Sequence, residues 1–185
     1  MNLNEEKELV KRARKDPEAF GILYDQYYSQ IFGYILKRVA DLDIAKDICS
    51  ETFLKALKNL WKFRWKNISF SFWLYRIANN EISNYFRKNK YKAPLEKIPE
   101  PSTFQNPSTE ILEAEEELKK HQDFLKIQKE ISKLEIKYQE VIVLRFFEKK
   151  KISEIAEILG KKEGTIKSLL HRGLERLKKE VSATN

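Results

Sequence analysis

Four of the five prolines in this 185-residue chain fall between Pro94 and Pro107. A proline inside a helix removes a backbone donor and clashes with the preceding turn. The stretch Ala93 to Ser108, APLEKIPEPSTFQNPS, therefore holds no helix. Elsewhere the chain has only Pro17 and five glycines, which favours long helices over a turn-rich β-fold. The fold class is read as all-α: two small helical domains, residues 1–92 and 110–185, joined by a Pro-rich acidic linker, residues 93–109. From Ala93 to Leu118 there are seven Glu against one Lys, a net of −6, so the rest of the chain carries about +14. Such an excess of base favours an anionic partner, nucleic acid or a membrane surface, although a Lys-rich solvated face carries the same charge.

Cys49 is the single cysteine, which excludes an intrachain disulfide and fits a reducing compartment. Met1-Asn2-Leu3-Asn4-Glu5-Glu6 lacks the apolar core of a signal peptide. No apolar run approaches the roughly 20 residues of a membrane span. A cytoplasmic location without membrane insertion is expected.

The first module reads as four helices. A short one covers about Glu5 to Lys15. The second opens on Asp16-Pro17-Glu18: a capping side chain, a first-turn proline and a carboxylate at the positive helix end. Its apolar face is Phe20, Leu23, Tyr24, Tyr27, Ile31, Ile35 and Val39. The third runs from about Leu42 to Leu60, with Ala45, Ile48, Cys49, Thr52, Phe53, Ala56, Leu57 and Leu60 as its stripe. The fourth covers about Phe70 to Lys90. In the second module a charged helix spans about Glu110 to Lys133 and another Lys137 to Glu148. A short helix, Ser153 to Leu159, ends at Gly160, and the last covers about Glu163 to Val181.

The segment Ile152 to Leu177 has the spacing of a helix-turn-helix: two helices, a turn of about three residues and a glycine in it. Ile155, Leu159, Ile166 and Leu170 supply a shared core, with the small Ala156 at the crossing. The outer side of the last helix presents Gly164, Thr165, Lys167, Ser168, His171, Arg172 and Arg176. Small and hydrogen-bonding residues at the helix start suit base edges in a major groove, and cations further along suit phosphates. An amphipathic hairpin with a solvated basic face would show part of the same pattern.

The fourth helix carries Arg76, Asn79, Asn80, Ser83, Asn84 and Arg87 on one side, with no carboxylate among them. Amides and guanidinium groups offer donors to bases and phosphates. Ahead of it stands Phe63-Arg64-Trp65-Lys66-Asn67, in which aromatics and cations alternate as unstacked single-stranded bases require. Phe63, Trp65, Phe70, Phe72 and Trp73 also fit a plain core, and for Trp73 that reading is preferred. On the third helix Asp47, Ser50, Glu51, Leu54 and Lys58 face outward. Leu54 beside carboxylates fits a protein-contact patch, and a Glu51–Lys55 pair on a solvated helix fits equally well. The histidines, His121 and His171, stand apart. No metal-ligand spacing, phosphate loop or nucleophile–base pair is present, so no catalytic residue, metal or cofactor is expected and the chain is not read as an enzyme.

These blocks together resemble the extracytoplasmic-function (ECF) class of bacterial RNA polymerase sigma factors. The resemblance is carried by Asp47-Ile48-Cys49-Ser50-Glu51-Thr52-Phe53-Leu54-Lys55-Ala56, by Phe72-Trp73-Leu74-Tyr75-Arg76-Ile77-Ala78-Asn79-Asn80, by Tyr138 to Phe146, by Glu154-Ile155-Ala156 and by Gly164-Thr165-Ile166-Lys167-Ser168. It implies docking on core RNA polymerase through Asp47, Ser50, Glu51 and Leu54. It implies melting and reading of the −10 promoter element by Arg64, Trp65, Lys66 and Asn67 with Arg76, Asn79, Asn80, Ser83, Asn84 and Arg87. It implies reading of the −35 element by Gly164, Thr165, Lys167, Ser168, His171, Arg172 and Arg176. It also admits an anti-sigma factor as partner. The sequence departs from the family pattern at Ser50 (usually Gln), at Asn79 and Asn84 (usually Arg and Asp), at Leu169 and Leu174 (usually basic) and at Lys162 (usually a better N-cap), so the family's −35 contacts do not carry over in full and leave the promoter sequence unspecified. The alternative is a free-standing helix-turn-helix regulator, which needs neither the third-helix patch nor a single-strand surface.

Overall fold

The computed structural model describes residues 1–90 and 127–184. The expected linker and the start of the charged helix expected from Glu110 lie outside them.

Local capping sets the helices of the first module. Helix α1 spans Leu3–Ala13 and opens on a capping box. The Asn2 side chain accepts from the Glu5 N–H at 2.9 Å, and the Glu5 carboxylate accepts from the Asn2 N–H at 2.9 Å. Helix α2, Pro17–Val39, begins at the Asp16-Pro17 signal, with Asp16 accepting from the Glu18 N–H at 3.0 Å. Ala40 ends it in the left-handed conformation, φ 56°. Asp41 caps α3, Leu42–Asn59, through the Ile44 N–H at 2.9 Å, and a 3₁₀ turn follows at Leu60–Lys62. Helix α4 spans Phe70–Lys90, as the pattern predicts.

Helix α2 is central: α1, α3 and α4 all pack on it, and α3 also packs on α4. Leu23, Ile31, Ile35, Ala45, Cys49, Ala56, Leu74 and Ala78 are fully buried between them. Each large aliphatic side chain so buried contributes up to ~1.5–3 kcal/mol. Leu57 departs from its expected place in the core and is 45% exposed. At about 100° per residue it lies beyond the arc of Cys49, Thr52 and Ala56 and shares a side with Ser50 and Leu54.

In the second module residues 127–133 are helical (α5). Helix α6 spans only Ile136–Ile142, where an unbroken helix to Glu148 is expected; a π-turn, Val143–Phe147, replaces its last part. There the Glu148 N–H reaches the Val143 carbonyl at 3.0 Å and Lys149 takes φ 53°. The extra residue in the turn changes the direction of the side chains that follow. Helix α7 is Ile152–Leu159, Gly160 closes it at φ 63°, and α8 is Glu163–Thr184. Helices α6 and α8 pack closely at Gly173, where a Cβ would stand 3.1 Å from Ile142 Cδ1 and 3.2 Å from Tyr138 Cβ.

The modules touch through α4 against α7 and α2 against the π-turn. Glu148, turned by the π-turn, accepts from Lys37 Nζ at 2.9 Å and from the Tyr75 hydroxyl at 2.6 Å. Gln128 donates to the Leu36 carbonyl at 2.7 Å. Arg38 is 1% exposed, donates to Asn79 and to the Tyr34 hydroxyl, and faces Glu140. Burial pushes the Glu140 carboxyl above its usual range, opposed by the charges of Arg38 and Lys161.

Candidate nucleic-acid interface

The first surface is the start of α8. Gly160 adopts the left-handed turn that lets α8 set off across α7, and Ile155, Ile166 and Leu170 fill the space between the two helices. Gly164, Thr165, Lys167, Ser168, His171 and Arg172 are all exposed along the outer side of α8. Ser168 donates to the Gly164 carbonyl at 3.0 Å. Nothing lies within 4 Å of where a Gly164 Cβ would stand, so this helix start is open to close approach. His171 Nε2 is 3.6 Å from Glu175. Arg176 is exposed, yet it pairs with Glu135 and lies 4.8 Å over the Tyr138 ring. It braces α8 on α6, and so differs from the unbraced outward residues before it.

The second surface is α4 with the connection ahead of it. Arg64, Lys66, Asn67, Arg76, Asn80 and Arg87 are exposed; Trp65, Ser83 and Asn84 are half-buried. Phe63 is buried and stacks edge-on against Phe70, ring centroids 5.3 Å apart, which closes the base of the connection. Trp65 donates to Asn67 Oδ1 at 3.2 Å, and Asn67 itself has φ 56°. Phe63, Phe70 and Phe72 are core, as the plainer reading of that cluster had it; Trp73 is half-buried against Phe63 and Phe70. A cleft of about 220 Å³ opens here, lined by Arg64, Lys66, Phe72, Trp73, Arg76 and Glu157 among others, with Glu157 3.3 Å from Lys66 Nζ. Aromatic walls and cations in one cleft can receive an unstacked base and its phosphate.

Asn79 is placed differently from the rest of that face. It is 6% exposed and its Oδ1 accepts from the Tyr34 hydroxyl at 2.6 Å and from Arg38. Helix α4 is packed by α2 and α3 on one side and by the second module on the other, and Asn79 is held inward by two residues of α2. Arg76 is also engaged there: it donates to the Ile158 carbonyl at 3.1 Å and the Glu157 carbonyl at 2.5 Å. The end of α7 thus lies against part of the α4 face.

The third surface is on α3. Asp47, Ser50, Glu51 and Leu54 are exposed as expected, Leu54 by 42%. Leu57 and Trp61, the latter 69% exposed, extend it into an apolar strip that the sequence reading missed. The signal was available in the helical angle: at about 100° per residue Leu57 stands roughly 80° from Cys49, on the side of Ser50 and Leu54. Glu51 lies 3.3 Å from Lys55, and Lys55 lies closer, 2.6 Å, to Glu81 of α4. Glu81 is the main cause of the raised Lys55 pKa. Among the described residues no group of His, Cys, Asp or Glu could hold a metal.

The arrangement has counterparts. Residues 23–91 match Sigma-70 region 2 and residues 124–177 match Sigma-70 region 4. The chain is 32% identical to the ECF RNA polymerase sigma factor SigW of Bacillus subtilis, over 95% of this chain and 96% of that one. It is 32% identical to the ECF RNA polymerase sigma factor BldN of Streptomyces coelicolor over 92% of its length, and spans 63% of that longer protein. A solved structure of CnrH in complex with the cytosolic domain of CnrY shares the fold, with a TM-score of 0.71 at 18% identity over 97% of this chain and 99% of that one.

Proposed function

Because the chain belongs to the ECF class of RNA polymerase sigma factors, and so directs RNA polymerase to promoters, we propose that its modules divide one promoter between them. Residues 1–92 dock on the core enzyme and open the −10 element; residues 110–185 read the −35 duplex; residues 93–109 join them. The observation that carries this division is the contrast between the two exposed faces. The α8 face has a small, open helix start suited to base edges in a groove, whereas the α4 face has an aromatic cleft suited to unstacked bases.

In this reading Gly164, Thr165, Lys167, Ser168, His171 and Arg172 meet the −35 groove, with Arg176 toward the phosphates. Arg64, Trp65, Lys66, Asn67, Asn80, Ser83, Asn84 and Arg87 meet the melted −10 strand. Arg76 joins them once α7 leaves α4, whereas Asn79, bonded to Tyr34 and Arg38 of α2, supports that face from inside. Asp47, Ser50, Glu51 and Leu54, extended by Leu57 and Trp61, hold the polymerase. A free-standing regulator has no use for that exposed apolar strip or for an aromatic cleft. The protein carries out no chemical step of its own and works in the cytoplasm. An anti-sigma partner belongs to the reading because a structure of like fold, the sigma factor RpoE of Bartonella quintana, was solved in complex with the anti-sigma factor NepR.

The test is run-off transcription with core polymerase on a library of promoter fragments. Added protein should create new start sites. Asp47→Ala with Glu51→Ala should lower capture of core polymerase, while Asn80→Ala with Trp65→Ala should leave capture intact and slow strand opening. Equal loss of both steps in both pairs would refute the division of labour.

A further inference from the structure

Helix α1 lies ahead of the residues that match region 2, and its sequence offers no site of its own. In the structure it grips the connection between α3 and α4 at both ends. At one end Arg14 donates to the Phe63 carbonyl at 2.6 Å. At the other Glu6, only 3% exposed, takes three bonds on one carboxylate oxygen: from the Phe70 N–H at 2.6 Å, from Ser69 Oγ at 3.2 Å and from the Tyr27 hydroxyl at 2.5 Å. Phe70 is the first residue of α4, so its N–H is one of the donors a helix start leaves unpaired. A negative group from a different helix fills that place and faces the positive end of the α4 dipole. A buried carboxylate is retained at such a cost only where its bonds are made.

The two grips are eight residues apart on α1, about 12 Å along the helix axis. Seven residue steps of extended chain from Phe63 to Phe70 would cover roughly 23–25 Å. The Phe63 and Phe70 ring centroids are only 5.3 Å apart, so the chain between them bows, and Arg64, Trp65, Lys66 and Asn67 are the residues on the bow.

We propose that α1 is a brace that presets the single-strand-reading loop, with Glu6 and Arg14 as its positioning residues. This rests on the −10 reading given above. Neither residue touches DNA. They act by removing the ordering cost that a free loop would incur when a strand binds.

The test uses holoenzyme, assembled from core polymerase and full-length protein. The probe is a fluorescein-labelled single strand carrying the −10 segment of a promoter that the holoenzyme opens in run-off transcription. Glu6→Ala and Arg14→Leu should each weaken probe binding by roughly tenfold, with core capture unchanged. Glu6→Gln, which keeps an acceptor of the same shape, should recover most of the affinity. Arg14 is exposed, so Arg14→Leu should fold even where Glu6→Ala does not. Trp65→Ala and Asn80→Ala separate the two claims. If they weaken the probe while the α1 variants do not, the brace is wrong and the −10 reading stands. If none of the four matters, the −10 reading itself is wrong. If the α1 variants lose core capture together with probe binding, α1 is only part of the core and the brace is again refuted.

Discussion

Replacing Glu148 by alanine should part the two modules. The Glu148 side chain is 7% exposed and holds Lys37 and Tyr75, residues of α2 and α4, from the far side of the π-turn. Removing one member of a fully buried ion pair costs about 3–5 kcal/mol. Here the Lys37 side chain is 27% exposed and can turn to water, so a discounted figure of ~2 kcal/mol is appropriate. Burial, and then the neighbouring Glu148 charge, pushes the Tyr75 hydroxyl up, so it stays a neutral donor that loses its charged acceptor. Opposing closure are buried atoms beside the inter-module contact that find no hydrogen-bond partner among the described residues: Arg38 Nε and Nη2 and Asn79 Nδ2. Each such group costs ~1–3 kcal/mol that water would return on opening. A contact balanced in this way should respond strongly, and ~2 kcal/mol is a roughly 30-fold change in the closed-to-open ratio. Fluorescence transfer between dyes on Lys58→Cys and Lys178→Cys would measure it. Cys49 would not interfere, because it is buried and burial pushes its thiol up to about 12. Transfer in Glu148→Ala that matches the parent at low and high salt would refute the argument.

Three further outcomes follow from the geometry. Glu140 holds its proton more tightly in the folded protein than at its ordinary value of 4.5. Between 4.5 and that raised value the folded state binds more protons, so stability should fall as pH rises through the window and Glu140→Gln should flatten that slope in thermal melts. The lowered carboxylates, Glu8 beside Lys11 and Glu135 beside Lys137, act below 4.5, where stability falls as pH falls, so the two effects occupy separate ranges. Gly173→Ala should crowd Tyr138 and Ile142 at a cost of about 1–3 kcal/mol, offset by the ~1 kcal/mol that Ala gains over Gly inside a helix, and so lower stability by up to ~2 kcal/mol in urea unfolding; an unchanged or raised midpoint would show that the contact has slack. Arg172→Ala should weaken binding to a −35 duplex by roughly 1–3 kcal/mol without altering single-strand binding, and unaltered duplex affinity would remove Arg172 from that surface.

Most helix limits, though not the end of α6 at its π-turn, were legible in the sequence because their causes are local. Asp16-Pro17-Glu18 starts α2, Asp41 starts α3 and Gly160 ends α7, each through contacts within four residues. The buried arc of α2 and the outward face of α8 follow from period alone, so Lys167 and Arg172 lie where the pattern puts them. Periodicity names one face per helix, however, and it fails where a helix is packed on two sides or carries two apolar arcs. Asn79 turns inward because Tyr34 and Arg38, more than forty positions earlier, meet it in space. Leu57 and Trp61 stay outside because no element covers that side of α3 among the described residues. The carboxylates that organise the molecule, Glu6 and Glu148, look in the sequence like any solvated Glu. What distinguishes them is a set of donors 64 and 73 to 111 residues away, brought together only when the helices pack. A charge's role depends on which desolvated groups surround it, and that is decided by the tertiary structure.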